Sequence, residues 1–197
     1  MLHPDFLTKT HPMSMLDNLQ ENLSCISAKS SHQDFGCLPL SNNARLLCNT
    51  NVCIQPYVVF DGLVFLDDDV FIGPYTMLRG PLYIGKGSKI GPNCEITRCF
   101  IGCNTKICHK NIVPDAVIGS DVWFAGGVIL CNTRMDKKTV QFTYEGVTSS
   151  RQVFSALVDD HVSLGVNVTV MPGSHLKEKA VVYGPITLGG IIEGVIK

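Results

Sequence analysis

Charge is scarce in this chain. Of its 197 residues only 17% are charged and the formal net charge is −1, so no strongly basic or acidic balance marks it for nucleic acid or an acidic membrane surface. Long apolar runs are missing too: none approaches the ~20 residues that span a bilayer, and no charged-then-apolar leader opens the sequence. Nine cysteines are present, namely Cys25, Cys37, Cys48, Cys53, Cys94, Cys99, Cys103, Cys108 and Cys131, yet no CxxC pair occurs among them. That excludes zinc-ribbon and thioredoxin-type chemistry. Free thiols without an export signal point to a reducing compartment, so the cytoplasm is the expected location. Over most of the chain there is neither a helical period nor the simple two-residue alternation of a half-exposed strand.

What the chain has instead is a beat of six. Aliphatic or aromatic residues recur at Ile72, Leu78, Ile84, Ile90, Ile96, Ile101, Ile107, Val113, Ile118, Phe124 and Leu130. After an interruption the beat returns at Val158, Leu164, Val170, Leu176, Val182 and Leu188. A second track of smaller residues runs two positions ahead: Val70, Thr76, Leu82, Ser88, Cys94, then Val162, Val168, Ser174 and Ala180. A solenoid of short strands, each forming one face of a triangular coil, produces this period. Glycine and proline follow the aliphatic (Gly73-Pro74, Gly85, Gly91-Pro92, Gly119), where the backbone turns a corner and glycine can take positive φ. A single coil buries a few aliphatics at roughly 1.5–3 kcal/mol each, against roughly 1–2 kcal/mol per residue of backbone ordering. Coils must therefore stack.

The expected organisation is an N-terminal extension over 1–56 and a β-helix domain over 57–197, with an inserted loop at 133–157. Within the extension, Ser14 and Asp17 read as a capping box opening a short helix with Leu16, Leu19 and Leu23 on one side. Residues 27–51 read as an irregular lead-in packed across the end of the coils, protecting an open strand edge. In the insertion, 139–144, the Glu145-Gly146 turn and 152–154 read as a protruding hairpin.

The hexads, together with the segment from Arg79 to Lys138, resemble the left-handed β-helix acyltransferases. The likeness is to the acetyltransferase half of bifunctional glucosamine-1-phosphate acetyltransferase/uridyltransferases and to archaeal sugar-1-phosphate nucleotidylyltransferases. It is carried by Ile107-Cys-His-Lys-Asn-Ile-Val-Pro-Asp115, by Val117-Ile-Gly-Ser-Asp-Val-Trp-Phe-Ala-Gly-Gly-Val-Ile-Leu-Cys-Asn132, and by Leu164-Gly-Val-Asn-Val-Thr-Val-Met-Pro-Gly173. The resemblance implies an all-β, left-handed parallel β-helix and a homotrimer, with acetyl-CoA as co-substrate in a groove between neighbouring coils. It also implies N-acetylation of an amino sugar or sugar 1-phosphate, with neither nucleic acid nor membrane as partner.

On that resemblance His109 matches the general base that takes a proton from the attacking amine. An imidazole exchanges a proton readily near neutral pH, which suits that task. Arg79 matches an arginine gripping the sugar phosphate, as a guanidinium fork does. Asn132 matches an asparagine near the acyl donor and sugar, and Lys138 a lysine reaching the phosphate from the inserted loop. Three positions depart from the pattern. Thr97 stands where a second phosphate-binding lysine is expected, with Arg98 adjacent to take its part. Ile112 replaces a tyrosine, and Trp123 an asparagine. Both make the acceptor pocket more apolar.

These departures motivate an alternative, as does an extension too short to hold the family's nucleotidyltransferase half: a catalytically inactive trimeric scaffold, or partner of a separate sugar nucleotidyltransferase chain. His161 and His175 are the candidate metal ligands, since γ-class carbonic anhydrases share the fold and bind zinc through histidines. There two ligands lie close together within one coil, whereas fourteen residues separate these two. No metal is expected.

Overall fold

A computed structural model describes residues 12–24 and 38–197. Three eight-stranded sheets, parallel at every pairing, make up a left-handed β-helix, and a two-stranded antiparallel hairpin is attached to it. The chain visits the sheets in rotation. Glu95–Thr97, for example, lies in the first (sheet A), Phe100–Ile101 in the second (sheet B) and Lys106–Ile107 in the third (sheet C). Each strand pairs with its counterpart one coil away, as Lys106 and Ile107 do with Trp123 and Phe124.

Both predicted tracks point inward. Every hexad residue from Ile72 to Leu130 and from Val158 to Val182 is buried, as is every member of the second track. The small polar members earn their place in the ladder. Ser88 Oγ donates to Gly102 O at 2.8 Å and accepts the Thr105 N–H at 3.0 Å. Thr105 repeats the pattern with Gly119 O and Val122 N–H. Each hydroxyl thus bridges backbone groups that the corner would otherwise strand.

The corner glycines work differently from the sequence expectation. Gly73, Gly85, Gly91 and Gly119 do not have positive φ; that conformation falls on Tyr75, Asn93, Asn104 and Asp121, among others. The glycines are instead required by close stacking. A Cβ at Gly91 would meet Cys108 O at 2.5 Å, and one at Gly73 would meet Gly91 C at 2.6 Å. Backbone cannot yield as a side chain can, so only hydrogen fits there.

Parallel strands begin ahead of Tyr57: Leu38–Pro39, Arg45–Cys48 and Cys53–Ile54 form a coil that pairs with the next. The beat extends back through Phe60 and Ile54 to Cys48, where a cysteine in an aliphatic slot hides it.

The helix (α1, Pro12–Ser24) starts earlier than the capping box implies, with proline in its first turn. Ser14 therefore lies inside it. Its buried side, Met15, Leu16, Leu19 and Leu23, packs on the outer face of sheet B against Leu63, Phe65, Tyr83, Phe100 and Val117. Of the lead-in placed across the coil end, 27–37 falls outside the described residues and 38–51 belongs to the first coil.

Sheet B is apolar on both sides because its strands read Leu-Val-Phe-Leu, Leu-Tyr-Ile and Phe-Ile, as doubly covered parallel strands do. Sheet C exposes Lys89, Lys106 and Trp123 instead. The hairpin forms about the expected Glu145-Gly146 turn, but the second strand, paired with Val140–Tyr144, is Val147–Arg151 and not 152–154, and it does not protrude. It lies back over sheet B, because Val140 and Phe142 alternate onto its inner side and bury against Phe154.

Candidate functional site

His109 follows the strand Lys106–Ile107 and occupies the corner between sheets C and A. Its side chain is exposed. The imidazole lies over Gly126: a Cβ there would sit 2.6 Å from Nε2 and 3.0 Å from Cδ2. The turn beneath is pinned twice. His109 O accepts the Gly127 N–H at 3.0 Å, and the Oδ1 of buried Asn111 accepts the Val128 N–H at 2.7 Å. Gly126 is thus a seat for the ring, a role that the sequence alone did not reveal.

Around this corner large apolar side chains stand exposed among charged ones, Lys106 beside Trp123 and Glu95 beside Ile112. Trp123 projects from sheet C, 47% exposed, and Ile112 from sheet A, 42% exposed, with Ile129 beside it in register.

The other expected residues gather on the opposite edge of sheet A. Arg79 ends the strand Met77–Arg79, with Nε 3.7 Å from Asp61 Oδ2 and its side chain 38% exposed. Arg98 directs a bidentate fork at Asp115, Nε to Oδ1 at 2.6 Å and Nη2 to Oδ2 at 2.7 Å. That hydrogen bonding raises the Arg98 pKa, and the neighbouring negative charge adds to the rise. Asn132 Nδ2 donates to the same Asp115 Oδ2 at 2.6 Å. Asp115, 4% exposed, is therefore the hub of this edge, and no sequence signal marked it. Thr97 is buried in register between Arg79 and Pro114, and its Oγ1 has no hydrogen-bond partner among the described residues. Lys138, exposed in the loop beyond, has its N–H 3.2 Å from Asp136 Oδ1.

From His109 to Asp115 the chain crosses the whole of sheet A, six residues at ~3.3 Å each, or roughly 20 Å. One chain therefore brings Arg98 and Asn132 together, with Arg79 on the same edge and Lys138 exposed in the inserted loop, and leaves His109 on the far edge.

His161 sits exposed at a corner with φ 61°. His175 is buried, its Nε2 2.9 and 3.0 Å from the two Asp159 carboxylate oxygens. Among the described residues no group of three or more His, Cys, Asp or Glu is placed to hold a metal, and no helix is long and apolar enough to cross a membrane.

Burial raises the pKa of the Cys94 and Cys99 thiols, which disfavours their reactive thiolates. Burial pushes Cys99 from its usual 9.0 up to about 12, so at pH 8 almost no thiolate exists to react. Iodoacetamide at pH 8 is expected to label exposed Cys53 and to spare Cys99 until denaturant is added, as read by peptide mass. The same shift fixes a sign. The unfolded chain loses this proton first, so the contribution of Cys99 to stability falls as pH rises from about 9 to about 12.

The bacterial transferase hexapeptide family (six repeats) matches residues 64–98. Over 113 residues the chain is 34% identical to the bifunctional sugar-1-phosphate nucleotidylyltransferase/acetyltransferase of Sulfurisphaera tokodaii, covering 56% of this chain and 28% of that one. Over 176 residues it is 34% identical to the bifunctional protein GlmU of a Thermotoga species, covering 89% of this chain and 36% of that one. The chain thus spans well under half the length of these curated relatives. Among solved structures, the UDP-N-acetylglucosamine acyltransferase from Campylobacter jejuni aligns with a TM-score of 0.43 at 14% identity, covering 82% of this chain and 67% of that one.

Proposed function

For a chain that carries the hexapeptide repeat of bacterial transferases, we propose an acyl-CoA-dependent N-acyltransferase acting on an amino sugar or sugar 1-phosphate. The observation that carries this reading is the imidazole of His109, exposed on a pinned corner over Gly126. His109 takes the proton from the acceptor's amine as the nitrogen attacks the thioester carbonyl of acetyl-CoA. Collapse of the tetrahedral adduct forms the amide and expels the CoA sulfur, which takes the proton back from the imidazolium. Trp123, Ile112 and Ile129 shield the reacting atoms from water, which strengthens the electrostatic interactions there.

Arg79, Asn132 and Lys138 hold the anionic end of the acceptor. Arg98, with its fork on Asp115, sets the position of Asn132 through that shared carboxylate. Because these residues and His109 lie on opposite edges of sheet A, the complete site joins His109 of one copy to the basic edge of another. A homotrimer closes such a head-to-side arrangement without leaving an open end. Thr97 and Ile112, where a lysine and a tyrosine are expected, favour the alternative of a non-catalytic trimeric partner of a separate nucleotidyltransferase chain.

Acetyl-CoA turnover with glucosamine 1-phosphate and a panel of amino sugars separates the two readings: turnover on at least one acceptor is expected, and none on any would favour the partner role. Gly126→Ala is expected to push the ring off its seat and lower kcat roughly tenfold or more, with little change in melting temperature because a side chain yields. Steady-state kinetics beside a thermal melt checks both halves.

A further inference from the structure

A cavity of about 340 Å3 opens at the edge shared by sheets A and B, lined by Leu16, Pro81, Arg98, Asp115, Arg151 and Val153, with Gln152 beside them. We infer that it is a binding site for a small organic phosphate or carboxylate, with the anion on Arg151 and the ligand's body against Leu16, Pro81 and Val153. It lies on the far edge of sheet A from His109 and shares Arg98 and Asp115 with the edge assigned above to the acceptor's anionic end, but its own anion sits on Arg151, so the binding test reads apart from acyl transfer.

The volume is within the range of small-molecule pockets, and an apolar wall with a few convergent polar groups is how such pockets are built. The two arginines are not equivalent. Arg98 is committed to Asp115, which is buried and also held by Asn132. Arg151 is ion-paired to Asp17 of α1, a carboxylate whose side chain is 58% exposed while that of Arg151 is 24% exposed. Burial lowers the Arg151 pKa, so its charge depends on an anionic partner, which Asp17 supplies here. An exposed partner is weakly held, so Asp17 acts as a tethered carboxylate that an anion in solution can displace. Leu16, the neighbour of Asp17, supplies part of the wall, so α1 contributes both the competitor and an apolar contact. Carboxylate and phosphate both fit a guanidinium fork.

The test is calorimetric titration with inorganic phosphate, phenyl phosphate and benzoate on the full chain. Phenyl phosphate is expected to bind more tightly than phosphate, because the ring adds apolar burial. Benzoate against phenyl phosphate tells which anion the site prefers. Asp17→Asn, which removes the competitor, is expected to tighten phenyl phosphate binding several-fold. Arg151→Gln is expected to weaken it at least tenfold. An ion pair that only fastens the helix would leave phenyl phosphate unbound in wild type and Asp17→Asn alike, and that result overturns the inference. So does Arg151→Gln binding as wild type does. Should Arg151→Gln fail to fold, Asp17→Asn decides alone, and no gain of affinity overturns the proposal.

Discussion

Alanine at position 109 is expected to slow acyl transfer roughly 100- to 10,000-fold, the range that a positioned general base contributes. The effect belongs in kcat, because the imidazole acts on the proton that moves in the transition state while other groups hold the acceptor. His109 is exposed and lies over Gly126, so the melting temperature of His109→Ala should match wild type. Activity that survives unchanged on every acceptor turned over by wild type would remove the base from the mechanism.

The largest expected stability effect lies at Phe154. It is fully buried, and its ring centroid is 4.9 Å from that of Phe142. It therefore couples the hairpin to the cluster that holds α1 on sheet B. Phe154→Ala should cost about 3–5 kcal/mol through lost burial and the cavity left behind. The loss should be local, because the inner column is a separate cluster. Hydrogen exchange is expected to lose protection at Val140–Tyr144 and in α1 while the amides of Lys106–Ile107 and Phe100–Ile101 stay protected. Uniform loss throughout would mean that the two clusters melt as one.

How much of this the sequence discloses depends on which face a residue serves. The inward tracks are legible because every coil imposes the same requirement on the same slot, so Ile84, Ile101 and Ile118 repeat as they stack. The outward faces carry no shared period. Phe65, Tyr83 and Phe100 form a stacked aromatic column on sheet B, with centroids 5.6 and 4.9 Å apart. Those rings sit one position before the inward residue, and in a single sequence they read as extra hydrophobicity instead of a covered face. For the same reason the hairpin was recognisable by its turn, but its docking was not.

Corner glycines misled for another reason: sequence cannot distinguish a glycine needed for positive φ from one needed for clearance, and here clearance decides. At the candidate site, the flanking motif singled out His109, and the structure leaves it exposed over Gly126. The commitment of Arg98 and Asn132 to Asp115 was not legible, because the partners are 17 residues apart and meet only through the coil period. The separation of His109 from the basic edge was likewise invisible until strands were assigned to sheets.

That separation is the centre of the account, since the proposed function then draws His109 and the basic edge from two different copies. The direct measurement mixes chains carrying His109→Ala with chains carrying Arg79→Ala, refolds them together, and assays acyl transfer at low acceptor concentration. The account predicts that the mixture exceeds either parent, because some interfaces then pair an intact imidazole with an intact arginine edge. No recovery at any mixing ratio, with mixed oligomers demonstrated by native mass spectrometry, would contradict it.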